Sequence, residues 1–440
     1  MTDKNTCIST AMVNLASFGF NLFSALSKSS LAGTGTSATD NILISPYSIA
    51  SALSLVLAGS TPDSVCQKQL QSVININSHE EMSTLTQNLL AAASADLTTD
   101  TDTGGPNNDL DPAVPTVTLT SANGIWSKSL KESFVKTLQD VHHAEAVSPL
   151  PPTYDPIDAY ITQHTNGLIT NMLEGPIDPL VVAVLVNAVH FKGDWTVQFD
   201  RNRTFSGIFR NLGGEEKEAR FMQDTRKMNY AEDVELLDGA SVVQLDYGAI
   251  KADAGADADA EADFAAFFIL PAQKGREGID EVIRRLALED ASISKSNTNT
   301  NTNTNTNTNT PLLQVINEMN AWNKIKLQIP RFKMSYGTKS LKNELISMGI
   351  QACFEKDGML MEMSNDPQVH VDEFLHKAVM EVTEEGTEAA AASVGVVMTR
   401  SMPRPPIPLT FDRAFVMIVV HKPSMTPLFL AKVGDPELQF

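Results

Sequence analysis

The two residues best placed to take part in chemistry are Arg400 and Ser401, which close a stretch, residues 381–401, reading EVTEEGTEAAAASVGVVMTRS. Between Gly386 and Met398 that stretch carries hardly a bulky side chain, so the arginine stands out as a lone handle. The chemistry that suits it is attack by another protein. An arginine side chain fills a specificity pocket floored by a carboxylate, the trypsin arrangement, and its carbonyl carbon then meets the protease serine. Two nearby bonds compete poorly: Arg404 precedes Pro405 and Met402 precedes Pro403, and proline obstructs the scissile nitrogen.

Chemistry performed by the chain itself finds little support. There is no G-x-S-x-G and no G-x-x-x-x-G-K-[ST], and His79-Glu80 lacks the second histidine of H-E-x-x-H. Cys7, Cys66 and Cys353 form no C-x-x-C pair for zinc. Odd in number and far apart, they imply no disulfide framework. His142-His143, beside Glu145, reads as a solvated helix face rather than a ligand pair. The alternating acids of 251–263 suggest calcium, but counting from Asp253 the sixth and twelfth positions of an EF-hand loop fall on Ala258 and Phe264, where Gly and Glu are needed. A solvated hairpin tip is expected there, and neither a metal nor a cofactor is called for.

Composition narrows the partners. A formal charge of −20 argues against nucleic acid and against anionic membrane surfaces, because phosphate binding needs basic patches. The longest apolar run, 180–189, is too short to span a bilayer and contains Asn187. The opening MTDKNTC lacks a charged-then-apolar leader, so a cytoplasmic or nucleocytoplasmic protein is expected, with an unconventional route outward left open. The sequon Asn202-Arg203-Thr204 matters only if the chain enters a secretory route.

The elements that must position the bait are legible as patterns. Leu15, Phe18, Leu22, Phe23 and Leu26 recur at helical spacing, and Ser45-Pro46 starts a second helix. Residues 185–199 hold an apolar strand with Asn187 inside it, and an amide there is costly unless bonded. Residues 221–228, VVQLDY and AAFFILP read as strands of a hairpin, and 325–334 alternates like a strand. Surface insertions are expected at 94–115, 251–263 and 296–310, the last dominated by a pure Asn-Thr repeat over 297–310 that cannot build a core. Within the bait stretch, a two-residue period puts Thr387, Ala389, Ala391, Ser393, Gly395 and Val397 on one small, uncharged face. Glu388, Ala390, Ala392, Val394, Val396 and Met398 form the other. An Ala-rich helix over 384–392 fits the local residues equally well; beyond it, the β-branched run around Gly395 does not favour helix.

EEGTEAAAA, residues 384–392, resembles the hinge of the reactive loop of the serpins, protease inhibitors with a metastable fold. The resemblance extends over nearly the whole chain, through NILISPYSIASAL, LTSANGIW, LVNAVHFKGDW, LHKAVMEV, IPRFKM and FDRAF. It departs at Ala414 and Ala431, where proline and glycine are usual. It implies an α+β fold of one domain over 1–440, with three β-sheets, about eight to nine helices and an exposed reactive-centre loop at about 384–408. It implies that Ser45, Ser48, Asn187 and His376 form the "shutter" under the main sheet, with an Asn187–His376 hydrogen bond, although Ser45 and Ser48 by themselves read as helix capping. It implies that the hinge comprises Glu384, Gly386, Thr387, Glu388, Ala389, Ala390, Ala391 and Ala392. In this family the reactive bond follows the seventeenth residue of the segment opening Glu-x-Gly, and counting from Glu384 reaches Arg400, with Ser401 after the bond. The expected function is suicide-substrate inhibition of trypsin-like serine proteases, with papain-like cysteine proteases as alternative targets and a non-inhibitory carrier, chaperone or storage role as the other alternative. Residues 78–119 contain no Lys or Arg, so a heparin cofactor is not expected at the position where some serpins bind it.

Overall fold

The computed structural model describes residues 4–32, 41–95, 116–250, 262–287, 311–321, 324–386 and 405–438. Among them are nine α-helices and three sheets, the mixed fold that the resemblance implies. The reactive-bond residues Arg400 and Ser401 and the hinge positions Thr387, Glu388, Ala389, Ala390, Ala391 and Ala392 lie outside the described residues, as do most of the three insertions.

The sheet that matters most has six strands, in the order Glu437–Leu438, Phe332–Ser340, Glu373–Val382, Ala183–Gly193, Val117–Ser127 and Glu145–Val147. Strand Ala183–Gly193 is buried almost throughout, which is why it reads as an unbroken apolar run rather than an alternating one. Helix Pro46–Gly59 covers one face: Pro46 sits at its first turn, Ser45 caps it by accepting the Ser48 amide at 3.2 Å, and nearly all of its residues are buried. Helix Asp155–His164 lies over the other face, where Ile157 and Ile161 pack with Trp126, Val184 and Val186.

A second six-stranded sheet runs Ile42–Ile44, Thr426–Val433, Phe415–His421, Phe264–Leu270, Ala240–Tyr247 and Tyr230–Val234. The third has four strands, Ile407–Thr410, Lys324–Pro330, Glu216–Lys227 and Phe205–Arg210. The sequence pattern grouped 221–228 with the two strands that follow it, but Glu216–Lys227 joins the four-stranded sheet. Only Ala240–Tyr247 and Phe264–Leu270 pair as the hairpin that brackets the acidic insertion. Period-2 alternation identifies a strand but not its sheet. The N-terminal helix runs Lys4–Ala32 and buries the predicted Leu15, Phe18, Leu22, Phe23 and Leu26.

Two side-chain expectations are corrected. Cys66 and Cys353, 287 residues apart in sequence, are joined as a disulfide that ties helix Val65–Ile74 to the short turn Ala352–Phe354. Their Cα atoms stand 5.0 Å apart, a proximity that only tertiary packing creates. His142 is not on a solvated face. It is half-buried, with its Nε2 3.1 Å from Nδ1 of His79, and burial pushes its pKa down to about 4. Among the described residues no helix is long and apolar enough to cross a membrane, and no group of three or more side chains is arranged to hold a metal ion.

Candidate functional site

The centre of the main sheet holds an unusual junction. Glu373–Val382 and Ala183–Gly193 are parallel neighbours, paired from Glu373 with Val184 to Val379 with His190. Both flanking strands, Phe332–Ser340 and Val117–Ser127, pair antiparallel with them. Parallel pairing is the weaker kind per residue, so this central seam is less secure than the antiparallel pairings on either side of it. Pairing stops at Val379–His190, whereas the two strands run on to Val382 and Gly193.

A polar cluster closes the seam from below. His376 and Asn187 are register partners, and His376 Nδ1 donates to Asn187 Oδ1 at 2.6 Å. The amide oxygen can only accept, so the proton sits on Nδ1, and the buried Nε2 has no partner among the described residues. Asn187 Nδ2 donates onward to the Ser48 carbonyl at 3.1 Å, to the Ser48 hydroxyl and to Asn123 Oδ1. Asn123 Nδ2 reaches Ser51 Oγ at 3.2 Å, and Ser48 Oγ lies 3.1 Å from Ser121 Oγ. Three strands and helix Pro46–Gly59 are thereby stitched through one buried amide. The expected Asn187–His376 bond and the place of Ser48 are present; Ser45 contributes as the helix cap that sets Ser48 in position. Asn123, Ser51 and Ser121 complete the cluster without having been named for it, because nothing in their spacing points inward at a common amide.

Burial holds the His376 pKa down to about 3, against an ordinary value of 6.5. The folded state therefore resists a proton that the unfolded chain accepts. This group's stabilising effect is complete above pH 6.5 and is lost as pH falls toward 3, at about 1.4 kcal/mol per pH unit. Between pH 7 and pH 5 the urea-unfolding free energy of the wild-type chain should drop by about 2 kcal/mol more than that of His376→Gln. Equal drops in the two proteins would remove His376 from the pH response.

Above the seam the chain turns back. Thr383 and Gly386 bridge each other, with Thr383 N donating to Gly386 O at 2.8 Å, and Gly386 bridges Asp194 in the antiparallel sense. Gly386 has φ 125°, and a Cβ there would lie 2.1 Å from Gly193 O and 2.6 Å from Trp195 N, so only glycine fits. The two residues before it are fastened. Trp195 N and Phe199 N donate to the carbonyls of Glu385 and Glu384 at 2.8 and 2.9 Å, and Trp195 Nε1 donates to Thr383 O at 3.0 Å. The Glu384 carboxylate accepts from Thr204 Oγ1 at 2.6 Å and pairs with Arg331 at 3.4 Å, and Glu385 pairs with Arg201. Both carboxylates are buried, so each needs its guanidinium. Glu385, Arg201, Arg331, Thr204 and Trp195 were not picked out from sequence as hinge partners, because no local pattern links those residues to the turn they fasten.

A family model described as Serpin (serine protease inhibitor) matches residues 13–436. The chain belongs to the serpin family. Among its curated relatives, Serpin-Z10 of Arabidopsis thaliana is 31% identical and covers 90% of this chain and 92% of its own. The Leukocyte elastase inhibitor of Bos taurus is 27% identical and covers 95% and 97%. Among solved structures, an Arabidopsis serpin described as native and stressed superposes with a TM-score of 0.72 at 25% identity, covering 98% of each chain. In this serpin the strands on either side of the seam are directly paired, with no strand between them.

Proposed function

We propose that this serpin is a suicide-substrate inhibitor of trypsin-like serine proteases, cleaved between Arg400 and Ser401. The observation that carries the reading is the turn at Gly386. The chain leaves Val382 and reverses within four residues, and it meets Asp194 already antiparallel to Ala183–Gly193. Because the two seam strands are parallel, a segment continuing in that direction is antiparallel to both. One weak parallel interface would become two stronger antiparallel ones. The face formed by Thr387, Ala389, Ala391, Ser393, Gly395 and Val397 has nothing to obstruct burial.

The protease serine attacks the Arg400 carbonyl carbon, the Ser401 amine leaves, and Arg400 is left as an acyl ester on the enzyme. Severing the bond frees residues 387–400 at one end. Insertion then carries the esterified enzyme away and competes with the water that would release it. The relative named for inhibition of an elastase agrees with the class, while the arginine selects a trypsin-like pocket here.

Mixing the protein with trypsin should give an SDS-stable complex and a released fragment whose first residue is Ser401. Arg400→Ala should lose the trypsin complex. A fragment starting elsewhere would move the bond. Complete cleavage with no complex would leave a substrate or carrier, and a complex with papain instead would reassign the target class.

A further inference from the structure

We propose that the Cys66–Cys353 disulfide governs how readily the central seam opens, so that the redox conditions in which the chain folds set its inhibitory behaviour. This rests on the reading that residues 387–398 enter between Ala183–Gly193 and Glu373–Val382.

The bond lies one step from the base of the seam. Gln69 Oε1 accepts from the amides of Gln351 and Ala352 at 3.0 and 2.8 Å, so the turn bearing Cys353 is fixed to helix Val65–Ile74 by polar contacts as well as by sulfur. The Cys353 carbonyl accepts from Val371 N at 3.0 Å, two residues before Glu373–Val382 begins. Asp372 then reaches across: its amide donates to Ala183 O at 3.0 Å, and its Oδ2 accepts from Val182 N at 2.6 Å. Leu185 and Phe374, register partners across the seam, line the same apolar nest as Cys353, Leu70 and Val56.

Admitting one more strand requires the seam to widen by about 4.8 Å. With the bond intact, the Glu373 side is fastened to a helix whose Cys66, Leu70 and Ile74 are buried in the core, so the Ala183 side must take up the displacement. With two thiols in its place, both sides yield. The bonded form therefore inserts more slowly, loses more molecules to simple cleavage, and keeps its uninserted state longer. The dithiol form inserts faster.

The redox step is the exchange of two electrons. A dithiol reductant gives two electrons and two protons to the Cys66–Cys353 bond, passing through a mixed disulfide, and leaves as its own disulfide while both cysteines become thiols. In the folded protein the sulfurs are shielded: Cys66 is 0% exposed, and Cys353 is 2% exposed and lines a nest too tight for water. The state reached during folding consequently persists, the bond in an oxidising compartment and the thiols in a reducing one.

The test compares the wild-type chain refolded with and without a phosphine reductant, together with Cys66→Ala/Cys353→Ala. Thiol titration after denaturation should find one thiol in the bonded form and three in the reduced form, because two of the three cysteines share the bond. The probe is a labelled synthetic peptide of residues 387–398, whose uptake as a strand involves no protease. Uptake should be about tenfold faster without the bond, and fewer molecules should be consumed per trypsin trapped. Equal uptake in bonded and unbonded forms, or slower uptake without the bond, overturns the proposal. A wrong target protease would leave the uptake difference intact. No uptake by any form would defeat the insertion reading itself, and this proposal with it.

Discussion

Thr387→Arg should turn the trap into an ordinary substrate. Thr387 directly follows the Gly386 turn and opens the slim face, so it would be the first side chain to pass into the seam. Below that point lie Asn187 and His376, neutral side chains that cannot offset a guanidinium, and the buried Asp194 beside Gly386 is already engaged by Thr116. Burying an unpaired charge costs several kcal/mol, and each 1.4 kcal/mol slows insertion about tenfold against hydrolysis of the acyl-enzyme. Cleavage at Arg400 should continue while the yield of SDS-stable complex with trypsin falls by at least about tenfold. Glu388→Arg supplies the control, because the two-residue period of an extended segment puts that position on the opposite face from Thr387, where a charge could stay in water. An undiminished yield from Thr387→Arg would show that the slim face is not what enters the sheet.

Cleaved protein should melt higher than intact protein. Trypsin or any protease that cuts between 398 and 402 frees the segment without removing it, because Ile407–Thr410, Phe415–His421 and Thr426–Val433 hold the C-terminal piece in two sheets. An inserted strand of about ten residues adds on the order of ten backbone hydrogen bonds at about 1 kcal/mol each. For a chain of this length the unfolding entropy makes 1 kcal/mol worth about 1 °C, so a rise of about 10 °C or more is expected by calorimetry. The gain is large because the uninserted fold is held by a barrier rather than by being the most stable arrangement. An unchanged melting temperature on clean cleavage would mean that the freed segment stays outside.

The N-terminal helix and the strand Ala183–Gly193 could be read ahead of the structure because their burial follows a local period or an unbroken apolar run. Asn187 could be flagged as an amide in need of a partner, yet only family resemblance pointed to His376, 189 residues away. The clamps on Glu384 and Glu385 were invisible for the same reason: Arg331 and Arg201 look like any surface cation until folding places them over a buried carboxylate. Cysteine counting failed more plainly, since an odd number and wide spacing do not tell which pair of thiols the core brings together.

By itself the sequence pointed to the bait: within 381–401 one arginine bond not followed by proline, and a uniformly small face leading to it from Gly386. These are properties of neighbouring residues, set by side-chain size, proline placement and the two-residue period of an extended chain. Tertiary structure alone decided that the two strands beside that glycine are parallel and adjacent, that one amide and one imidazole lock them, and that a disulfide fastens the base of one. Those depend on which distant segments share a core, and no local pattern encodes the identity of a partner hundreds of residues away.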